Sequence, residues 1–409
     1  MIKLTVEKED EKKEQYLTEV KDEVINRIEI LLISLNHLNK KSIDLDEGAG
    51  IISFKVTTRK TIKIIEEENF IIKEADYNKS KYAKTVQSYL ASSTNLAQVN
   101  IVGIIDLLNS LIEKDAKNLE ALLTCPAGGL STINKLLLSA VNPLSGKELE
   151  IIKLAFNYNS YKNVSGPIKK FFKKNFIKYC PYCNLEKVEI LTIKGKNATG
   201  HQLDHFFSQT DHPLLSYSLF NLVPSGSNCN GTINKGEIPF TDEFHMNPHS
   251  SGFGDNMRFI PIKPGIAVIG INLEFNCVPG SKEMKQLIGD LTKIDELHDK
   301  GNINVFKLRT KYSDEEHVEW ANILLGRIHN AHKTQRSISK FIDMMKNVDR
   351  EAIHLEWYKN QISTPFYSEN FGSRKDSKFN RDIHDYYFET NKSIINKFFK
   401  CISPFLKKY

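Results

Sequence analysis

Tyr16, Val20, Val24, Ile28, Leu31, Leu35 and Leu38 recur at three- and four-residue steps, with charged residues between them. That spacing predicts one long amphipathic helix over 9–40. A Gly48-Ala49-Gly50 break follows, then a β-branched run from Ile51 to Ile65 that fits strand or helix. Helical spacing returns around 80–92 and 97–115. Cys125-Pro126-Ala127-Gly128-Gly129 marks a loop, because Pro and Gly interrupt both periodicities. Helices are expected again at 130–140, 146–158 and 167–178. Beyond residue 258 the pattern alternates like strands to 275. It then turns helical at 282–298 and 313–347. From Ser363 the tail mixes aromatic and basic residues.

The texture changes at 180–260, where Gly, Asn, Ser, Pro and His become prominent. We therefore expect an α+β protein with three regions. Residues 1–160 form a mostly helical domain, 161–260 a central domain, and 261–409 a mixed, then helical, C-terminal region. The apolar stripes of 1–160 serve either a packed core or docking to a partner protein.

A length of 409 residues suits more than one domain. Net charge is +6, which permits a polyanionic partner without requiring one. The distribution says more than the total. Between Tyr161 and Cys180 stand Lys162, Lys169, Lys170, Lys173, Lys174 and Lys178, with no acidic residue. On a helix, Phe171, Phe172 and Phe176 would pack inward and the lysines outward. That face is either simply solvated or a phosphate contact.

Cysteine is sparse and spread out, unlike a secreted disulfide scaffold. The N-terminus is charged with no apolar core, so no secretory leader is expected. The apolar runs Ile28–Leu35 and Ile101–Ile112 are too short to span a bilayer. A reducing cytoplasm and no membrane are the expectation.

Three local patterns carry the candidate chemistry. They are Cys180-Pro-Tyr-Cys183, then Leu203-Asp204-His205-Phe206, then Asn221-Leu-Val-Pro-Ser225 running into Asn228-Cys229-Asn230 and Lys235. Each is weak alone, and each has a bland reading as buried thiols, a core histidine, or turn and cap amides. Their order and spacing give the signal.

In that order they resemble the zinc-bearing HNH endonucleases, whose catalytic core is a ββα-metal finger. The resemblance covers about 176–240. It implies a ββα finger in the central domain, with His205 as general base and Asn221 bracing the loop that orients it. Asp204 and Asn230 would hold one divalent cation, Mg²⁺ or Mn²⁺. Cys180, Cys183 and Cys229 would hold a structural Zn²⁺. A four-cysteine knuckle would place its remaining cysteine three residues before Cys229, where this chain has Gly226. His245 or His249 could complete the site, or it is metal-free.

Lys169, Lys170, Lys173, Lys174 and Lys235 are the candidate phosphate contacts. His201, four before His205, could share its face. On a continuous strand Asp204 and His205 would point to opposite faces, so the strand must end there. Phe306-Lys-Leu-Arg309 with Tyr312 and His317 resembles the continuation after such cores, so 258–330 is expected to wrap it.

The function expected is therefore metal-dependent hydrolysis of DNA, in bacterial defence against phage. A partner ATPase or sensor protein would dock on the N-terminal helices. The alternatives are a non-catalytic zinc-knuckle nucleic-acid module and a partner-interaction protein.

Overall fold

A computed structural model describes residues 2–4, 8–39, 44–46, 51–53, 58–68, 70–92, 99–157, 168, 171–172, 178–188, 190–193, 196–199, 201–290, 300–333, 374–394 and 396–397. The chain is of the mixed α+β class. In order the elements are α1 (Glu9–Asn39), β1 (Asp44–Asp46), β2 (Ile51–Ser53), α2 (Thr58–Glu67), α3 (Glu74–Lys79), α4 (Lys81–Ser92), α5 (Ile101–Leu123), α6 (Leu130–Leu138) and α7 (Gly146–Phe156). There follow β3 (Ile190–Ile193), β4 (Lys196–Thr199), β5 (His201–His205), β6 (Leu222–Gly226), α8 (Ser227–Asn230), β7 (Met257–Ile262) and β8 (Gly270–Phe275). The last are α9 (Lys282–Ile288), α10 (Asn302–Val305), α11 (Leu308–Lys311), α12 (Glu315–Lys333) and α13 (Ser377–Thr390). The strands pair as β1–β2, β3–β4, β5–β6 and β7–β8.

The chain divides into two compact units that do not follow its order. One comprises Val6–Asn175 with Leu203–Val223; the other comprises Met1–Thr5, Phe176–Gln202 and Pro224–Tyr409. The division falls inside both β5 and β6.

The first unit is helical and centres on α1. The predicted stripe is its buried face at Tyr16, Val20, Val24, Ile28, Leu31 and Leu35. From Arg27 to His37, however, α1 is buried on every side, which amphipathic spacing does not predict. Some of its polar groups there find partners within the unit. Glu29 accepts from the backbone N–H groups of Ile71 and Ile72 at 2.8 and 3.0 Å. Arg27 donates to the Asn157 carbonyl at 3.0 Å. Such pairing is what makes buried charge tolerable.

Helix α5 breaks where Lys114, Asp115 and Ala116 take positive φ. Helix α7 opens with a capping box, in which the Ser145 and Glu148 side chains serve each other's backbone N–H groups.

The segment 203–223 completes this unit's core. Leu214, Leu215, Tyr217 and Leu219 are fully buried. The Tyr16 hydroxyl donates to the Tyr217 carbonyl at 2.6 Å, and the Ser218 hydroxyl to that of Leu122 at 2.8 Å.

In the other unit, β7 and β8 form an antiparallel hairpin running Met257↔Phe275 to Ile262↔Gly270, as the alternation from 258 suggests. Helix α13 packs on β7 and on α12. The Asp382 carboxylate of α13 accepts the Phe259 N–H at 3.0 Å and pairs with Lys378 at 2.9 Å, all buried. Tyr182 stacks on Phe306 at 4.3 Å. No described helix is long and apolar enough to cross a membrane.

Candidate functional site

Strand β5 ends at His205, and the chain bends through Phe206 and Phe207. This is the ending that the sequence demanded if Asp204 and His205 are not to stay on opposite faces. Beyond the bend, two 3₁₀ turns, Pro213–Tyr217 and Leu219–Asn221, carry the chain back to β6.

Asn221 closes this loop from inside. Fully buried, it accepts the Phe207 N–H through Oδ1 at 2.8 Å. It donates through Nδ2 to the carbonyls of Phe207 at 3.2 Å and Leu215 at 3.0 Å. Its own carbonyl accepts the Phe206 N–H at 2.8 Å. Three side-chain bonds to backbone tie Phe207 and Leu215, both on the loop that follows His205, to Asn221.

His205 is half-buried. Its Nε2 lies 2.9 Å from the Ser216 carbonyl, which can only accept. Nε2 therefore carries the proton and donates it. The Gln209 amide nitrogen stands 2.9 Å from Nδ1 and 3.1 Å from Nε2; with Nε2 protonated, Nδ1 is the lone-pair nitrogen. Asp204 is buried, 4 % exposed.

Gln209 and Ser216 were not among the sequence candidates. Gln209 is four residues from His205, but the intervening bend gives neither helical nor strand periodicity to reveal their contact.

Asn230 belongs to the other unit. Its Nδ2 donates to Gln202 Oε1 at 2.8 Å. Lys235 is buried, 4 % exposed, with its ammonium 4.5 Å from the Phe240 ring centroid. Lys169, Lys170, Lys173 and Lys174 lie outside the described residues, as does the His201 side chain.

The cysteine centre is built on a tight knuckle. A bridge between Tyr179 and Lys187 closes it, and the Cys180 N–H donates to the Glu186 carbonyl at 2.8 Å. Asn184 takes a left-handed φ of 58° at the turn. Its carbonyl accepts from the Asp376 N–H, and its amide donates to the Arg374 carbonyl.

Cys180, Cys183 and Cys229 are buried with their sulfurs within 4.8 Å of one another. Bonds from the other two cysteines, then the backbone N–H groups of Glu186 and Leu185, hold the Cys183 thiol well below its usual range despite burial. Burial pushes Cys180 up. The bonds to Cys180 and Cys183 push Cys229 up. The centre thus favours a thiolate at Cys183. Three converging soft sulfurs with N–H donors behind them fit Zn²⁺, which takes four ligands in structural sites.

Among the described residues neither His245 nor His249 joins that group. The His245 ring instead stacks on Phe240 at 3.9 Å, and its Nδ1 accepts the Thr241 N–H. Lys311 Nζ stands 3.6 Å from Cys229 Sγ, and the Tyr312 hydroxyl donates to the Cys183 carbonyl at 2.6 Å. Two residues of the segment 258–330, Lys311 and Tyr312, thus touch the knuckle directly.

Comparison with protein-family models, with curated proteins and with solved structures finds no match for this chain.

Proposed function

We propose that the chain is a metal-dependent endonuclease of the HNH type that hydrolyses phosphodiester bonds of DNA. The observation that carries the reading is the His205 loop. A histidine at a strand end has one ring nitrogen anchored to a carbonyl and the other oriented as an acceptor, and a buried amide braces the backbone around it.

The chemistry follows from that arrangement. Neutral imidazole takes a proton from an attacking water at Nδ1, once Gln209 yields that position. The Ser216 carbonyl then remains hydrogen-bonded to Nε2–H, so the ring keeps its orientation as it charges. The resemblance implies that Asp204 and Asn230 would supply hard oxygen donors of the type Mg²⁺ or Mn²⁺ prefers. When bound, the cation would neutralise charge on the phosphate and the leaving oxygen. Cys180, Cys183 and Cys229 would hold Zn²⁺ as a structural support.

The test is cleavage of supercoiled plasmid by purified protein with Mg²⁺ or Mn²⁺. Wild type should nick or linearise it, and His205→Ala should not. Equal behaviour of the two, with and without candidate partners, overturns the catalytic assignment. The role in phage defence and the partner ATPase or sensor rest on the resemblance alone. Plaque counts on bacteria expressing wild type or His205→Ala, with the neighbouring genes, test both.

A further inference from the structure

Each sulfur of the cysteine centre has a donor against it. The Leu185 N–H bonds to Cys183 Sγ at 3.4 Å. The Gly226 N–H bonds to the Cys180 sulfur. Both are neutral backbone groups. Cys229 instead meets a full charge, with the Lys311 ammonium 3.6 Å from its Sγ.

The centre has a use for that charge. Three thiolates exceed the charge of Zn²⁺ by one negative unit, and all three cysteines are buried. Unbalanced charge at such depth is unfavourable. The surrounding chain adds to the excess. In paired C-x-x-C zinc sites the second pair repeats the spacing of the first, and three residues before Cys229 that position is Gly226. A Cβ built on Gly226 would overlap the carboxylate of Glu186, whose Oε2 accepts the Asn228 N–H at 3.1 Å. The gap in the cysteine pattern is thus filled by an anionic side chain. Among the described residues no histidine or carboxylate joins the three sulfurs.

Lys311 starts from an anchored backbone. It is the last residue of α11, and its N–H donates to the Lys307 carbonyl at 3.0 Å. The next residue, Tyr312, is buried. Its hydroxyl donates to the Cys183 carbonyl at 2.6 Å, and its ring lies 4.3 Å from Phe259 and 5.6 Å from Phe379. Two consecutive residues therefore reach two of the three cysteines. Fixing the start of the lysine stem leaves less freedom to lose in holding its ammonium on Cys229.

We propose that Lys311 is the charge partner of the cysteine centre, and that its ammonium on Cys229 holds Zn²⁺ in place by balancing the excess thiolate charge. Lys311 acts on a ligand and does not coordinate the metal. With it the assembly of three thiolates, one divalent ion and one ammonium is neutral. This role rests on the zinc reading of the cysteines and is independent of DNA cleavage.

Chelator competition on full-length protein loaded with Zn²⁺ tests it. Lys311→Met should lower zinc affinity about 10–100-fold, as expected for loss of a group that bonds a metal ligand. Lys311→Arg keeps the charge and cannot lose its proton, so it should stay within about threefold of wild type. With Co²⁺ in place of Zn²⁺, the thiolate-to-metal charge-transfer band should move to longer wavelength in Lys311→Met and hold its position in Lys311→Arg. The ammonium stabilises the sulfur lone pairs, and a purely structural role would not move the band. Should Lys311→Met fail to fold, Lys311→Gln, also neutral, takes its place.

Lys311→Met within about twofold of wild type overturns the charge role. So does Lys311→Arg as weak as Lys311→Met, which would mean that the amine itself coordinates. Wild type that takes up less than about 0.3 equivalents of zinc and shows no Co²⁺ charge-transfer band is a different failure. It overturns the zinc reading beneath the proposal, and the charge role with it.

Discussion

Asn221 grips both backbone groups of Phe207, accepting its N–H at 2.8 Å and donating to its carbonyl at 3.2 Å. A side chain that satisfies both polar groups of one buried residue sets that residue's position in a way no apolar contact can. Asn221→Ala removes these bonds and the one to Leu215. At about 1 kcal/mol net per bond, plus the cost of stranded groups, destabilisation of about 3 kcal/mol is expected. Asn221→Asp should do no better, since it sets a carboxylate against two carbonyls. Urea midpoints measure both, and a loss under about 1 kcal/mol for Asn221→Ala would contradict the bracing role.

His205 should carry its proton on Nε2 at neutral pH, because the Ser216 carbonyl can bond only to N–H. Nitrogen chemical shifts of labelled His205 report the tautomer directly. A Nδ1–H form would mean that Gln209 is flipped and its oxygen faces the ring. On the catalytic reading, His205→Ala should lower cleavage by at least about 100-fold without changing the unfolding midpoint.

Lys378 and Asp382 are paired at 2.9 Å and buried, at 3 and 0 % exposure. Burial pushes the lysine down and the carboxyl up, so each resists its charged form while the contact favours it. Removing the lysine leaves the buried Asp382 with the Phe259 N–H and the longer contact to Arg381 at 3.6 Å. Lys378→Met is expected to cost about 3–5 kcal/mol. Lys378→Met/Asp382→Asn should recover more than half of that, because the amide oxygen still accepts the Phe259 N–H. A double variant as unstable as the single one would show that the lysine acts through packing.

Two histidines should give stability opposite pH slopes. Burial lowers His332 to about 4. Unfolded, it takes up a proton near pH 6.5, so the folded state holds fewer protons between these values. Its contribution is lost as pH falls through that window, up to about 3 kcal/mol. His317 is raised: burial lowers it, but bonds to Asp376 and Asp314 outweigh that. Its contribution is present below about pH 6.5 and lost as pH rises through the raised value. Denaturant midpoints of His332→Phe should fall less than wild type between pH 7 and 4.5. Those of His317→Gln should fall less than wild type above pH 7. Parallel profiles would refute the assignments.

Much of the candidate site was legible because its parts are local. The strand end at Asp204-His205 and the return at Asn221 are each set by a few consecutive residues. The repeating stripe of α1 was equally readable. What could not be read came from residues far apart in sequence. The all-round burial of α1 from Arg27 depends on Ile71, Ile72 and Asn157. Lys235 reads from the sequence as a candidate phosphate contact beside the motif, yet it is buried with its ammonium over the Phe240 ring. The tail's mix of aromatic and basic residues does not reveal that Asp382 of α13 bonds the distant Phe259 N–H as well as Lys378. Gly226 was visible as a gap in the cysteine pattern, but only the structure places Glu186 in that gap.

The way the chain is threaded bears on how it is made. Segment 203–223 supplies Leu214, Leu215, Tyr217 and Leu219 to a core whose other members lie before residue 176. Synthesis at about 5–20 residues per second therefore leaves the N-terminal helices waiting several seconds for their last layer. Until residue 223 has left the ribosome, the groups that will hold Tyr217 and Ser218 stay exposed. The loop bearing His205 is built at the same moment as that core closes. On the nuclease reading, a half-made chain would carry no working centre.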